Sequence, residues 1–255
     1  MALWFLIPAY NEENNILDTL AAIRLHAGTR DLAAIVVVND GSADQTSRAA
    51  RSLAGELPVR VLDHPANAGP GAAFQTAFTH ALAEAQDDDL LITMEADNTA
   101  DLSVLPAMLA RSEYADVVLA SCYAEGGALR NCPASRRLLS AGANTLVRYA
   151  LGLTRYRTCS SFFRLHRCGP LRRFALARQP LPLISESGFT CMVEVLYLLH
   201  RAGFRIEEVP VTVDWRHRQG VSSMQVSRTI SRYIGFLGPL FLHRFAGTES
   251  PSNRS

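Results

Sequence analysis

Short apolar runs alternate with amphipathic stretches along the first half of the chain. Each apolar run is nearly continuous and is bounded by polar residues, which is the pattern of buried strands. The predicted strands cover residues 3–7, 33–38, 59–62, 90–94 and 117–120. Between them, helical spacing of apolar residues predicts helices over 16–26, 45–53, 71–85 and 102–111. This alternation indicates an α/β fold whose sheet is mostly parallel and is flanked by helices.

The second half of the chain has a different pattern. A glycine-bearing stretch over 123–133 is followed by a predicted helix, a short strand, another helix and a pair of strands. These elements cover residues 135–151, 160–165, 188–202 and 205–215. No second complete core is evident, so we predict one domain over residues 1–246 and a disordered tail over 247–255.

The stretch over residues 226–245 is amphipathic, with arginines beside large apolar residues. Gly235, Gly238 and Pro239 interrupt its apolar run, which is shorter than the roughly 20 residues of a membrane span. A helix packed on the core is the common outcome for such a pattern. Attachment to the surface of an anionic membrane is the alternative.

The composition is that of a folded protein, with 48% hydrophobic and 19% charged residues among 255. Disorder over most of the chain is therefore excluded. The five cysteines are odd in number, show no C-x-x-C spacing and follow no secretory leader. We expect a reducing, cytoplasmic compartment and no structural zinc.

Charge is segregated between the two halves, although the formal net charge of the whole chain is only +1. Residues 1–129 hold 6 arginines against 18 acidic residues, a net charge of −12, and residues 130–255 hold 19 arginines against 6, a net charge of +13. No lysine occurs anywhere. An acidic half can hold a divalent metal, and arginines suit bidentate recognition of phosphates. Nucleic-acid binding is not expected, because no aromatic residues are interleaved with the arginines and no known module is present.

Polar segments follow the first and second predicted strands. The carboxyl ends of parallel strands meet at one edge of a sheet, which is where such folds bind ligands. After the first strand comes the segment I-P-A-Y-N-E-E. Its Tyr10 can stack on a base, and its Glu12 can accept a hydrogen bond from a ribose or a base. After the second, V-N-D-G-S-A-D-Q-T places Asp40 where a buried strand emerges, a position that directs a carboxylate into the cleft. Asp44 and Thr46 are explained well as helix caps.

The fourth strand is followed by a pair of acidic residues. It runs into L-L-I-T-M-E-A-D-N-T, with Glu95 and Asp97 two residues apart. On an extended backbone the two carboxylates point the same way and repel unless a cation lies between them. Mg²⁺ or Mn²⁺ bridging a substrate diphosphate is the natural occupant of such a pair. A solvated acidic loop is the alternative.

Taken together, these segments resemble the family 2 glycosyltransferases, and in particular the polyprenyl-phosphate mannose and glucose synthases. The resemblance covers residues 3–224 and is carried by the order of the motifs rather than by any one of them. The motifs are P-A-Y-N-E, V-N-D-G-S-A-D-Q-T, N-A-G-P-G-A-A, E-A-D-N, R-R-L-L-S-A-G-A-N, S-S-F-F-R-L, E-V-P-V and R-H-R-Q-G-V-S-S-M. The resemblance implies the GT-A fold, a Rossmann-like sheet with a C-terminal extension on the acceptor side.

The resemblance also implies a function for each half of the chain. Residues 1–121 would bind the nucleotide-sugar, and residues 122–246 would bind the acceptor. The expected reaction is inverting transfer of a hexose from GDP-mannose or a UDP-hexose to a polyprenyl phosphate, with Mg²⁺ or Mn²⁺ as cofactor. The enzyme would be cytoplasmic, with peripheral contact to the inner face of the membrane.

Site residues are carried over from the family position by position. Those expected to contact the nucleotide are Pro8, Tyr10, Glu12, Asp40, Gly69 and Ala96. The expected metal ligands are Glu95 and Asp97. Those expected to be catalytic are Asp97, Arg136, Ser140 and Glu186, and those expected to bind phosphate are Arg130, Arg216 and Arg218. Glu186 stands near where relatives that use hydroxyl acceptors carry an acidic base, and a carboxylate at the start of a helix is its structural alternative.

Three positions differ from the usual family pattern. The acidic motif reads Glu95-Ala96-Asp97 instead of D-x-D, Thr99 stands where mannose synthases often have glutamine, and Ser223 stands where the closing loop usually has lysine. A transferase that acts on a soluble hydroxyl and a catalytically silent protein that binds nucleotide-sugars are therefore the alternatives.

Two other enzyme classes are disfavoured. A sugar nucleotidyltransferase would carry an early glycine-rich phosphate loop with basic residues, and residues 1–30 have none. A dinucleotide-dependent oxidoreductase would need G-x-G-x-x-G after the first strand, and that motif is absent there.

Overall fold

A computed structural model describes residues 1–28 and 31–217, together with the single position 235. Arg218, the amphipathic stretch over 226–245 and the tail over 247–255 lie outside the described residues. The strands are β1 (Leu3–Ala9), β2 (Leu32–Asn39), β3 (Val59–Asp63), β4 (Leu90–Thr93), β5 (Val117–Ser121), β6 (Ala128–Arg130), β7 (Arg164–Arg167), β8 (Ile206–Pro210) and β9 (Thr212–Asp214). The helices are α1 (Ile16–Ala27), α2 (Thr46–Ser52), α3 (Pro70–Glu84), α4 (Leu105–Arg111), α5 (Ala134–Leu151), α6 (Cys168–Ala177) and α7 (Cys191–Arg201).

The main sheet has the strand order β3-β2-β1-β4-β7-β5-β8. Its neighbouring strands are parallel except at β7, which runs antiparallel to both β4 and β5. A small second sheet pairs β6 with β9 in parallel. The predicted α/β class with a mostly parallel sheet is therefore confirmed. Within the described part of the chain, no helix is both long and apolar enough to cross a membrane.

Each face of the main sheet forms its own apolar core. Along β1, Phe5 belongs to the core that contains Leu20 of α1, whereas its neighbour Leu6 belongs to the core that contains Phe74 of α3. This alternation follows from the two-residue period of a strand. Helices on both faces bury both sets of side chains, which is why these strands read as continuous apolar runs.

The second half differs from its predicted elements in four ways. The strand predicted over 160–165 lies at Arg164–Arg167, and helix α6 follows it directly although no helix was predicted there. Gly169 and Pro170, which are residues that often end a helix, lie in its first turn. Proline is tolerated there because backbone N–H groups in the first turn have no acceptor within the helix. Strand β6 lies inside the glycine-bearing stretch. The two strands predicted over 205–215 exist but do not pair with each other, since β8 adds to β5 and β9 to β6.

The beginning of α3 packs directly against the segment that precedes α7. The backbone N–H of Gly71 donates to the carbonyl of Ser187 at 2.9 Å. A Cβ atom at Gly71 would overlap the carbonyl oxygen of Glu186, and one at Gly69 would overlap that of Ser187. Gly69 also has a φ of 96°, in the left-handed region that favours glycine. Glycine at these two positions therefore allows two backbone segments to touch.

We expect Gly71→Ala to lower the free energy of unfolding by about 1–3 kcal/mol, because the added methyl group forces the two backbones apart. Urea unfolding followed by circular dichroism measures this change. Gly55→Ala is the matched control, because nothing lies within 4 Å of a Cβ atom built there. A loss at Gly71 no larger than that at Gly55 would show that the close contact does not constrain the fold.

A neutral histidine is enclosed in the centre of the sheet. His166 on β7 is fully buried, and neither ring nitrogen has a hydrogen-bond partner among the described residues. Its ring packs edge-on against Phe78, with ring centroids 5.6 Å apart. Burial, with a smaller contribution from the charge of Arg164, lowers the pKa of His166 to about 3. The unfolded chain, with an ordinary histidine pKa of about 6.5, takes up a proton that the folded chain excludes.

His166 should therefore make the fold sensitive to acid. Because its folded pKa lies near 3, its contribution to stability falls as pH drops from about 6.5 towards 3, by about 1.4 kcal/mol per pH unit. We expect His166→Leu to reduce this slope and to preserve stability near neutral pH, since no hydrogen bond is lost. Urea unfolding across that pH range measures the slope. The exposed His26→Gln serves as control, and equal slopes in both variants would contradict the prediction.

Candidate functional site

A cleft opens at the carboxyl edge of the main sheet, beyond β4 and β5. Its volume is about 640 Å³, including the part that is open to solvent. The walls combine apolar side chains with a set of polar ones. The polar residues include Glu95, Thr99, Tyr123, Ser140, Ser160 and Ser161. The cleft lies where ligands bind in open α/β sheets.

The acidic pair lies just beyond β4 but not on an extended backbone. Residues 96–98 form a bend, and Asn98 has a φ of 57°. The two carboxylates therefore do not lie on one side of an extended strand, as the sequence pattern predicted. Glu95 lines the cleft, whereas Asp97 is only 4% exposed and accepts hydrogen bonds from the backbone N–H and the hydroxyl of Thr99. The bend thus gives the two carboxylates different environments.

The segment of the acidic pair is also held from the opposite side. The carbonyl of Ala96 accepts a hydrogen bond of 2.9 Å from the hydroxyl of Thr19 on α1. Ala96 and Thr19 are both buried. The bend is therefore fixed both by its own side chains and by the first helix.

Glu95 and Asp97 fit a divalent metal whose remaining ligands come from a diphosphate and from water. The described residues contain no group of three or more His, Cys, Asp or Glu side chains that could hold an ion. Mg²⁺ is commonly bound through one or two carboxylates, with phosphate oxygens and water completing its shell. The oxygen donors of Glu95 and Asp97 suit Mg²⁺ and Mn²⁺.

The loops after β1 and β2 are joined by hydrogen bonds. The N–H of Asn11 donates to Ser42 Oγ at 2.9 Å, and the N–H of Ala43 donates to Asn11 Oδ1 at 2.9 Å. The N–H of Glu12 donates to Thr46 Oγ1 at 2.8 Å. These bonds hold the carboxyl ends of the two strands side by side, where the nucleoside was expected.

The predicted nucleotide residues of the first loop lie at the end of β1. Pro8 is part of β1 and pairs with Val38 of β2, and Tyr10 directly follows the strand and is half-buried. The carboxylate of Glu12 accepts a hydrogen bond of 2.7 Å from Asn15 Nδ2. The structure therefore brings Pro8, Tyr10 and Glu12 to the same strand end.

Asp40 holds a loop rather than projecting into open space. Its carboxylate is 2% exposed and accepts hydrogen bonds from the N–H groups of Ala68 and Gly69, at 3.0 and 2.8 Å. His64 Nδ1 lies 2.7 Å from the same carboxylate, and His64 Nε2 lies 2.9 Å from Thr76 Oγ1. Asp40 thus anchors the Gly69 loop to β2, and its contact with a nucleotide stays a prediction.

Three arginines gather where β6 meets β9, and we call them the arginine cluster. Arg130 is in register with Asp214, and the guanidinium of Arg136 lies 5.0 Å from the ring centroid of Trp215. Arg216 pairs with Asp214 at 2.8 Å. Hydrogen bonds from Arg216 hold the pKa of the Asp214 carboxyl well below its usual range. Arg130, Arg136 and Arg216 are thereby collected around two residues that sequence reasoning did not single out.

Ser140 connects the arginine cluster to the cleft. It lies one helical turn after Arg136 on α5, and it accepts a hydrogen bond of 2.8 Å from the hydroxyl of Tyr123. Both Ser140 and Tyr123 line the cleft together with Glu95. Burial raises the pKa of Tyr123 above its ordinary value, which keeps it a hydrogen-bond donor. Sequence reasoning missed Tyr123 because it stands in a loop without periodicity.

Glu186 is held at a different place. Its Oε2 accepts a hydrogen bond of 2.8 Å from the hydroxyl of Thr190, and its N–H donates to Glu194 at 2.8 Å. Burial raises the pKa of Glu194. Among the described residues, the side chains that line the cleft do not include Glu186. The structure therefore does not bring Glu186 together with Glu95 and Ser140.

Comparison with known proteins identifies the family. Residues 4–178, more than half of the chain, match the family described as glycosyl transferase family 2. A polyprenol monophosphomannose synthase of Mycolicibacterium smegmatis is 32% identical over 225 residues, which cover 87% of this chain and 80% of that protein. An undecaprenyl-phosphate mannosyltransferase of Micrococcus luteus is 32% identical over 208 residues, covering 81% of each protein.

The fold agrees with this assignment. A crystal structure of glucosyl-3-phosphoglycerate synthase from Mycobacterium tuberculosis, in complex with Mn²⁺ and UDP-glucose, superposes with a TM-score of 0.64 at 16% identity. The match covers 94% of this chain and 77% of that one. The resemblance inferred from the motifs is confirmed: the chain belongs to glycosyl transferase family 2 and is a glycosyltransferase.

Proposed function

We propose that this glycosyltransferase moves a hexose from GDP-mannose or a UDP-hexose to a polyprenyl phosphate, with inversion at the anomeric carbon. The observation that carries the proposal is the position of Ser140 and the arginine cluster beside a cleft that also contains Glu95. Cationic side chains suit an anionic acceptor. The names of the two relatives, which both specify polyprenyl carriers of mannose, support the same acceptor.

The donor would bind along the carboxyl ends of β1, β2 and β4. Pro8, Tyr10 and Glu12 would contact the nucleoside, and Gly69 and Ala96 would lie close to it. Glu95 and Asp97 would hold Mg²⁺ or Mn²⁺, which supplies charge neutralisation for the diphosphate leaving group when bound. Because Thr99 and Thr19 hold this segment in place, the carboxylates need little rearrangement before the donor binds.

The acceptor would bind on the other side of the cleft. Arg136, Arg130 and Arg216 would bind the phosphate and hold one oxygen opposite the leaving group. A phosphate oxygen is anionic near neutral pH, so no general base has to remove a proton. A hydroxyl acceptor would require one. The position of Glu186 away from the residues that line the cleft supports the phosphate acceptor, and its role as a base stays a prediction for hydroxyl acceptors.

Donor binding is tested first by thermal shift with GDP, UDP and their hexose derivatives, each with and without Mn²⁺. One nucleotide series should raise the melting temperature in the presence of metal, since a ligand at a hundred times its Kd stabilises the folded state by about 2.7 kcal/mol. EDTA and the variant Asp97→Asn should abolish this shift.

The exposed Glu113→Gln is the matched control for Asp97→Asn and should keep the full shift. A folded protein that shows no shift with any nucleotide would overturn the donor site. A shift without sugar transfer to any acceptor would indicate a silent binding protein.

Acceptor binding is tested by substitution at Arg136. We expect Arg136→Ala to lower kcat/KM for a polyprenyl phosphate in detergent roughly tenfold to a hundredfold, because a hydrogen bond to a charged group contributes about 1.5–3 kcal/mol. The nucleotide-induced shift should be unchanged, and Arg136→Lys should recover part of the activity. Transfer of radiolabelled hexose into the lipid fraction measures the reaction.

Arg173→Ala on α6 is the control for this loss, because Arg173 is an exposed arginine remote in sequence from the cluster. Activity that is equal in the two alanine variants would contradict the role of the cluster. Preferential transfer to a soluble compound with a hydroxyl group would show that this compound, and not a lipid phosphate, is the acceptor. Glu186 would then be the residue to test as the general base.

A further inference from the structure

The buried side of helix α5 continues into the residues that were assigned to the acceptor. Val147 and Leu151 in the second half of the helix pack into the core, and Asn144 is buried as well. At 100° per residue, these three residues share an arc of about 80° with Arg136 and Ser140 in the first half. The side by which α5 is attached is therefore also the side that carries its acceptor residues.

Asn144 is the position at which burial of the helix begins. None of the described residues 134–143 is buried, whereas Asn144 is only 7% exposed. Arg136 and Ser140 thus belong to a part of the helix that has no buried side chain of its own. Where these two residues lie depends on how the helix is held at Asn144.

The amide of Asn144 contacts a neighbouring segment at two points. Its Nδ2 donates to the carbonyl of Arg157 at 2.6 Å, and its Oδ1 accepts from the N–H of Cys159 at 2.9 Å. Asparagine is a poor helix former, and a buried amide is unfavourable unless it is hydrogen-bonded. An asparagine at this position is therefore explained by the contact that it makes and not by the helix in which it stands.

The segment that Asn144 binds, residues 157–163, is itself fixed to the main sheet. Glu208 of β8 accepts hydrogen bonds from two of its N–H groups, at 2.7 and 2.9 Å. The fully buried Arg164 of β7 donates to two of its carbonyls, at 2.8 and 2.7 Å. Thr158 and the last four residues of the segment line the cleft. Asn144 thus connects α5 to a wall of the cleft whose own position is set by the sheet.

We propose that Asn144 is a positioning residue for acceptor binding, which holds Arg136 and Ser140 at a fixed distance from the wall formed by residues 157–163. Among the described residues, those that line the cleft do not include Asn144 itself. The proposal deepens the proposed function and rests on it for the identity of the acceptor. An acceptor oxygen has to be held in line with the leaving group, and a displacement of about 1 Å can slow the reaction about a hundredfold.

Kinetics with a polyprenyl phosphate in detergent test this role. Asn144→Ala should lower kcat/KM for the acceptor roughly tenfold to a hundredfold and leave the KM for the donor and the nucleotide-induced thermal shift unchanged. In the Arg136→Ala background the same change should cost less than about threefold, because a group that Asn144 positions is then absent. A general loss of structure would instead reduce activity by the same factor in both backgrounds.

Asn39 offers a closely matched control on β2, which β1 and β4 separate from β7 in the main sheet. It is also 7% exposed, and its amide also donates one hydrogen bond and accepts one. The donated bond goes to Asp63 Oδ1 at 2.8 Å, and the accepted bond comes from the N–H of Ser42 at 3.2 Å. Asn39→Ala should change kcat/KM for the acceptor by the same factor with and without Arg136→Ala.

Hydrogen exchange measured by mass spectrometry tests the positioning without an assay of sugar transfer. In Asn144→Ala the backbone N–H groups of residues 138–143 should exchange at least about tenfold faster than in the wild type, because the helix has lost its first buried attachment. Asn39→Ala should leave exchange in residues 138–143 unchanged. If Asn144→Ala does not fold, Asn144→Asp carries the same tests, since it keeps the size of the side chain and an acceptor for the N–H of Cys159.

Three results would overturn the proposal. These are an unchanged kcat/KM for the acceptor in the Asn144 variant, a loss of equal factor in the Arg136→Ala background, and unchanged exchange in residues 138–143. Failure of the proposed function gives a different pattern, in which the wild-type protein transfers no sugar to a polyprenyl phosphate while exchange in residues 138–143 is still accelerated by the Asn144 variant.

Discussion

The first half of the molecule depends on the hydrogen bonds that one buried carboxylate accepts. Asp40 is enclosed at the end of β2, where an unpaired charge would be strongly destabilising. The N–H groups of Ala68 and Gly69 and the ring of His64 meet that requirement, and in doing so they draw the loop before α3 onto β2. Gly71, two residues after Gly69, donates its N–H to the carbonyl of Ser187. The position of the loop therefore also fixes the segment before α7. One side chain therefore positions a loop, a helix start and a segment more than a hundred residues away.

Much of the first half of the fold could be predicted, and the reason is local. The strands β1, β2, β4 and β5 are buried on both faces, so their apolar runs are visible without knowledge of any partner, whereas the edge strand β3 is only half-buried. The polar segments that follow β1, β2 and β4 were expected at one edge because parallel strands impose it. What could not be predicted was the orientation of side chains within those segments. Two of the three partners of Asp40 are backbone N–H groups, and a sequence does not indicate where a backbone group will lie.

The second half was less predictable for a related reason. Asp214 and Trp215 contribute to the arginine cluster only because β9 pairs with β6, and both strands are only three residues long. Such short strands have too few positions for a period to be recognised. Tyr123 and Ser140 meet across seventeen positions through a single side-chain hydrogen bond. The acidic excess of the first half was also an incomplete guide to metal ligands. The carboxylate of Asp89, for example, accepts hydrogen bonds from the N–H of Ala2 and the indole N–H of Trp4.

The antiparallel direction of β7 has a consequence for how changes in the cleft wall would spread through the protein. The neighbours β4 and β5, which run antiparallel to β7, end at the cleft, whereas β7 begins there. The residues just before β7, Ser160 to Phe163, therefore form part of the cleft wall. These residues belong to the connection between α5 and β7, and neither β1 nor β2 is part of that connection. Thr93 of β4 donates a hydrogen bond of 2.7 Å to the carbonyl of Phe162, and the ring of Phe162 stacks on Phe74 of α3. An insertion or deletion in that connection would therefore displace groups that contact β4 and α3, so this wall of the cleft is not free to change in length on its own.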